Sequence, residues 1–123
     1  MGYDFADTKP IYHQIADHIK SVLASGELGP GVRIPPVREL ASSFSVNPNT
    51  AQKALQELER EGYLHTDRTS GRRVTENKQL LNSLRDDSRK TITENFINNM
   101  SSLGISKDDL VVYLKKYLNE HAN

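Results

Sequence analysis

The sequence predicts a mostly helical fold with a small β-hairpin: a winged helix-turn-helix followed by a two-helix C-terminal dimerisation region. Three observations predict it. Residues 35–74 read as a short helix, a tight turn, a longer helix opening on Asn47-Pro48-Asn49-Thr50, and a basic hairpin. The longer helix carries amide and basic side chains at helical spacing opposite its apolar stripe, an arrangement that reads base edges in the DNA major groove. Past Asn77 the pattern changes to a long apolar stripe with steps of four and three, which is helical periodicity.

In chain order, Ile11, Ile15, Ile19, Val22 and Leu23 predict an amphipathic helix over residues 10–25. Thr8 is its expected N-cap, Pro10 fits the first turn and Gly26 the stop. Gly29-Pro30-Gly31 and Pro35-Pro36 then argue against regular structure. Val37, Leu40, Ala41 and Phe44 predict the short second helix, with Ser45-Val46 as the turn. Asn47 caps a third helix with Pro48 at its first position; Ala51, Ala54, Leu55 and Leu58 form its buried stripe, and Gly62 ends it. Residues 63–66 and 72–75 are strand candidates around a Thr69-Ser70-Gly71 turn.

The tail stripe of Leu80, Leu84, Ser88, Ile92, Phe96, Met100 and Leu103 describes one long helix with a possible interruption near Asp87-Ser88. Leu103-Gly104-Ile105 reads as a glycine stop, and Ser106 opens a last helix bearing Leu110, Val111, Leu114, Tyr117 and Leu118. The expected domains are residues 1–76 and residues 77–123. Two helices alone make a thin core, so Leu80, Leu84, Ile92, Phe96, Met100, Leu103, Leu114 and Tyr117 are expected to bury themselves against a second copy.

Composition narrows the function. The chain has no cysteine, which removes disulfides, thiolate metal sites and thiol nucleophiles together. The four histidines are scattered without metal spacing, no glycine-rich phosphate loop appears, and the Asp86-Asp87 and Asp108-Asp109 pairs point apart on a helix. No catalytic residues, no metal and no cofactor are expected, and the chain reads as a non-enzyme. No apolar run approaches the ~20 residues a bilayer requires, so a cytoplasmic location is expected, with no membrane partner. Formal net charge is zero, but residues 40–56 hold one charged side chain, Lys53, and residues 68–75 hold three arginines and no acid. A basic edge on a neutral whole permits nucleic-acid binding.

Asn49, Gln52, Lys53 and Gln56 share the face of the third helix opposite its apolar stripe. Asn and Gln suit adenine, and Lys suits guanine or phosphate. Thr50 offers a hydroxyl to phosphate, and the helix start is expected to offer free N–H groups as well. Arg38, opening the second helix, is a candidate phosphate contact; its alternative is a pair with Glu39 or Glu57. Arg68, Arg72 and Arg73 flank the wing tip, where Gly71 lets the backbone come close to a groove. A winged helix serving as a protein-interaction module is the competing reading. A small-molecule effector lined by Phe96, Tyr113 or Tyr117 is a further expectation.

Pro10-Ile11-Tyr12-His13-Gln14-Ile15-Ala16, Ser25-Gly26-Glu27-Leu28-Gly29-Pro30-Gly31 and Ile34-Pro35-Pro36-Val37-Arg38-Glu39-Leu40-Ala41 closely resemble the DNA-binding domain of GntR-family bacterial transcription regulators. Residues 46–54 and 58–64 continue the match, and the short tail looks like the two-helix dimerisation region of the YtrA subfamily. The resemblance implies a winged-helix repressor that binds a pseudo-palindromic double-stranded operator as a homodimer. It also implies DNA contacts from Arg38, from Asn47, Pro48, Asn49, Thr50 and Gln52, and from the wing tip at Ser70-Gly71. Two departures stand out. Asn47-Pro48 occupies the place of a frequent Ser-Arg, and Arg72-Arg73 replaces the usual Thr-Phe of the wing.

Overall fold

The computed structural model describes residues 4–122. The elements are α1 (Ile11–Ser25), α2 (Val37–Phe44), α3 (Pro48–Arg60), β1 (Leu64–Asp67), β2 (Gly71–Val74), α4 (Lys78–Ser102) and α5 (Lys107–Glu120). The chain divides after Asp86 into two compact units, ten residues beyond the expected boundary at 76. The shift has a packing cause: Leu81 and Leu84 of α4 belong to the core of the first unit.

That core is built from stripes on three helices and one residue from each strand. Ile15, Ile19 and Leu23 of α1 meet Leu55 and Leu58 of α3, closed by Ile34, Phe44, Leu64 and Val74. Each fully buried aliphatic side chain contributes roughly 1.5–3 kcal/mol. Among the described residues no polar or charged side chain is buried, so the core carries no desolvation penalty.

Local signals fix the ends. Asn47 Oδ1 accepts the Asn49 N–H at 2.8 Å with Pro48 at the first helical position. Gly26 and Gly62 stop α1 and α3 with positive φ, where a Cβ would be strained. Thr8 does not cap α1. Pro10 holds that position without a side-chain bond, and Gln14 ties the approaching chain instead, accepting from the Ala6 N–H and donating to the Ala6 and Lys9 carbonyls. The α2–α3 turn passes through Ser45 at φ 56, the one left-handed non-glycine residue among those described.

The hairpin pairs Leu64 with Val74 and Asp67 with Gly71, a one-residue shift of both strands from the predicted spans. Its other edge is not bare. The segment expected to lack regular structure pairs with β2, through Gly31 N–H to Val74 O, Val74 N–H to Val32 O and Ile34 N–H to Arg72 O, each 2.9–3.0 Å. Two strands alone are marginal in water, and this third segment gives the wing a fixed base.

In the second unit, α4 continues unbroken through Asp87 and Ser88. Gly104, at φ 84, receives the turn after it, and Ser106 caps α5 by accepting the Asp109 N–H at 3.2 Å. Leu110 is buried, while Ile92 at 68% and Leu103 at 82% lead a long series of exposed apolar side chains. Among the described residues no helix is long and apolar enough to cross a membrane.

Candidate nucleic-acid interface

The start of α3 presents side chains and not main-chain donors. Pro48 has no N–H, the Asn49 N–H is taken by Asn47 Oδ1, and the Thr50 N–H is taken by Asn47 O at 2.9 Å. The expectation of free N–H groups there is therefore corrected: the cap that starts the helix consumes them. Asn49 and Lys53 are exposed and Thr50 is half-buried. The Asn49 side chain makes no bond to any described residue, whereas the Lys53 ammonium lies 4.1 Å from the centroid of the Tyr12 ring on α1. That cation–π contact holds the lysine against α1 at a cost of about 1 kcal/mol to release.

Arg38 stands exposed in the first turn of α2, which has no side-chain cap. Neither expected acid pairs with it, since Glu57 is engaged by Arg60. Its guanidinium is free among the described residues.

The wing arginines differ from one another. Arg68 is exposed at the tip and has no partner among the described residues. Arg73 is bonded within the chain: its Nε donates to Ser70 Oγ and its Nη1 to the Gly31 carbonyl, both at 2.9 Å. Arg72 turns inward onto α3. Its Nε donates to Glu59 Oε1 and its Nη1 to Gln52 Oε1 at 3.1 Å, and its side chain is only 16% exposed. Of the three arginines expected to offer charge to DNA, one does so freely.

The electrostatics follow from these contacts. Partial burial works to raise the Glu59 carboxyl, but hydrogen bonds from Arg72 and Thr66 and the charges of Arg72 and His65 prevail and hold it below its ordinary value. At the tip, the Thr69 backbone N–H and the Ser70 and Thr69 hydroxyls donate to Asp67 and lower its carboxyl as well. These bonds fold residues 67–70 into a turn that ends on Gly71 at φ 81.

Three participants were not found by sequence reasoning. Arg33 is exposed beside the tip, its Nε 3.5 Å from where a Cβ on Gly71 would stand. With Arg72 and Gly71 it lines an open groove of about 330 Å³ between the wing and the start of α2. The alternation in Val32-Arg33-Ile34 was a strand signal masked by the prolines around it. Glu59 and Tyr12 read as ordinary helix positions, and no local pattern identifies their partners.

The expected dimerisation residues are divided between the units. Leu84 is buried and Leu80 half-buried within the first unit, Leu80 Cδ2 lying 3.7 Å from where a Gly62 Cβ would stand. Ile92, Phe96, Leu103, Leu114 and Tyr117 are exposed and Met100 is half-buried. Of the expected effector-lining residues, Tyr113 edges a wide surface groove at the α4–α5 turn, while Tyr117 stacks on His121 at 4.1 Å. Among the described residues no cluster of His, Asp or Glu is arranged to hold a metal.

Residues 11–74 match the family model described as bacterial regulatory proteins, gntR family. The chain is 38% identical over 117 residues to the uncharacterized HTH-type transcriptional regulator YhcF of Bacillus subtilis, covering 95% of this chain and 97% of YhcF. It is 45% identical over 74 residues to the HTH-type transcriptional repressor YtrA of the same organism, covering 60% of this chain and 57% of YtrA. Among solved structures, a GntR family transcriptional regulator from Listeria monocytogenes superimposes with a TM-score of 0.78 at 42% identity, covering 91% of this chain and 98% of the other. The DNA-binding domain of AraR in complex with its operator ORE1 gives 0.54 at 29% identity, covering 61% and 93%. With a winged helix-turn-helix matched across residues 11–74 and a relative matched along nearly its whole length, the chain belongs to the GntR family of bacterial regulatory proteins, as a DNA-binding transcription regulator with YtrA and YhcF among its relatives.

Proposed function

We propose that the chain is a cytoplasmic transcription repressor that binds a pseudo-palindromic operator as a homodimer. The observation that carries this reading is the juxtaposition, within one compact unit, of a side-chain-rich α3 start with uncommitted cations. Asn49 is exposed and unbonded, Arg38 opens an uncapped helix, and Arg33 and Arg68 stand by the wing tip. Asn47, Pro48, Asn49, Thr50, Gln52 and Lys53 would enter the major groove, where side-chain amides discriminate bases. Arg38 would hold the backbone, and Ser70-Gly71 with Arg68 would approach the minor groove. Arg72 and Arg73 would act mainly by shaping the wing.

Dimerisation is supported by the exposed apolar series Ile92, Phe96, Leu103, Val111, Leu114 and Tyr117, because exposed apolar side chains gathered in patches mark interaction surfaces. A pair of reading heads fixes half-site spacing. The YtrA relative is named a repressor and AraR is seen on an operator, and both support the same role here.

The test is selection from a randomised duplex library at moderate salt, with mass measured by sedimentation. An enriched inverted repeat with half-sites about one helical turn apart, together with a dimer mass, is the expected result. Enrichment of no sequence, or binding that follows salt alone, would overturn it.

A further inference from the structure

The wing sheet has two faces of different charge. Leu64 and Val74 turn to the core, and Thr66 and Arg72, two residues along each strand, turn the same way onto Glu59 of α3. The alternate residues, His65 and Asp67 on β1 with Gly71 and Arg73 on β2, face away. Arg33 joins that outward face from the third segment, where an antiparallel bridge sets it directly opposite Arg73. Two guanidiniums thus stand on neighbouring strands, an unfavourable placement for like charges. The one acid of this face, Asp67, lies 3.9 Å from Arg73 and accepts from the Thr69 N–H and hydroxyl. Arg33 is exposed, and its side chain has no hydrogen bond or ion pair among the described residues. Its guanidinium lies over Gly71, the first residue after the tip, with Nε 3.5 Å and Nη2 3.8 Å from where a Gly71 Cβ would stand.

We infer that Arg33 is a phosphate-binding residue of the wing, gripping the sugar-phosphate wall of the minor groove that the Ser70-Gly71 tip enters. The inference rests on the operator-binding reading above. A minor groove about 6 Å wide takes in a hairpin tip, and phosphates bound it on either side. The tip itself meets the groove floor, whereas a side chain on the sheet face just behind the tip meets the wall. A guanidinium is a forked, donor-only cation, which matches phosphate oxygens. A bound phosphate also supplies the second negative charge that this face lacks. The wing's grip on the backbone therefore comes from the segment before α2, while Arg72 and Arg73 of the hairpin are held by bonds within the chain.

The experiment uses the full-length chain, the inverted-repeat duplex that it enriches from a randomised pool, and two variants. Arg33→Met removes the charge and keeps the stem, and its melting midpoint should equal or exceed that of the wild type because the like-charge pair is gone. On the enriched duplex its salt slope should be lower by about 1 for each half-site. Phosphate ethylation interference should lose one phosphate in each half-site, beside the minor groove, while a repeated selection returns unchanged base preferences. Arg33→Lys should restore both the slope and that phosphate, since lysine binds phosphate as a point charge. An Arg33→Met slope and interference pattern equal to the wild type would overturn the inference. So would preference lost at single base pairs, which marks a base contact, or a lower melting midpoint with the slope kept, which marks a structural role. A wild-type selection enriching nothing would overturn the operator reading itself, and the inference with it.

Discussion

Arg85 of α4 reaches the last turn of α1, where its Nε–H donates to the Ala24 carbonyl at 2.7 Å. The last turn of α1 carries no basic residue of its own, so a cation from elsewhere in the chain meets its negative dipole end. Arg85→Ala should cost about 1 kcal/mol, discounted for partial exposure. Arg85→Lys should recover part of it. Thermal denaturation of the two variants measures both.

The Asn47 cap should be separable from any role in base reading. Asn47→Ala is expected to destabilise the first unit by about 1 kcal/mol, a fall of about 4–8 °C in melting midpoint for a domain of this size. Asn47→Asp should melt like the wild type, because its carboxylate caps equally well.

Acid should loosen the wing. The Glu59 carboxyl sits below its ordinary value of 4.5, so its contribution to stability is full above that pH and is lost as pH falls toward its lowered folded value. Asp67, also lowered, acts in the same direction. The melting midpoint should therefore drop as pH falls below about 4.5, and the drop should be shallower in Glu59→Gln. Equal slopes in the two proteins would show that the Arg72 pair does not stabilise the fold.

A charge placed in the tail should act on assembly and leave the reading head folded. If the chain assembles as proposed, Ile92→Asp or Leu114→Asp is expected to give a monomer in sedimentation while the helical circular-dichroism signal changes little. A dimer that survives both substitutions would place the interface elsewhere.

Asn49 and Arg38 should differ in kind. Asn49→Ala is expected to relax discrimination at one base pair by about 1–3 kcal/mol, while Arg38→Ala weakens all duplexes alike and lowers the salt slope by about 1. Binding titrations at several salt concentrations on matched and mismatched duplexes separate the two.

Most of the first unit was legible because its signals are local. The Asn47 cap, Pro48 behind it and the glycine stops at 26 and 62 need only their neighbours. The Arg72 network was not legible, since Glu59 lies 13 and Gln52 20 residues away and only the hairpin register brings them together. For α4, either Leu80 or Leu81 satisfies a period of 3.6, and packing within the core of the first unit buries Leu81. The occupied N–H groups at α3 could have been read, because a proline at the first position removes one donor, the capping side chain takes the next and the carbonyl of the capping residue takes the third.

The closed start of α3 bears on how such a regulator changes over generations. Main-chain donors are shared by every residue except proline, so contacts made through them survive almost any codon change. Here Asn47 and Pro48 remove them from the reading helix, and whatever that helix contributes to binding is written in side chains. Its affinity and its preferences are accordingly exposed to drift and selection one substitution at a time, which lets a duplicated copy diverge toward a new operator without remaking its fold.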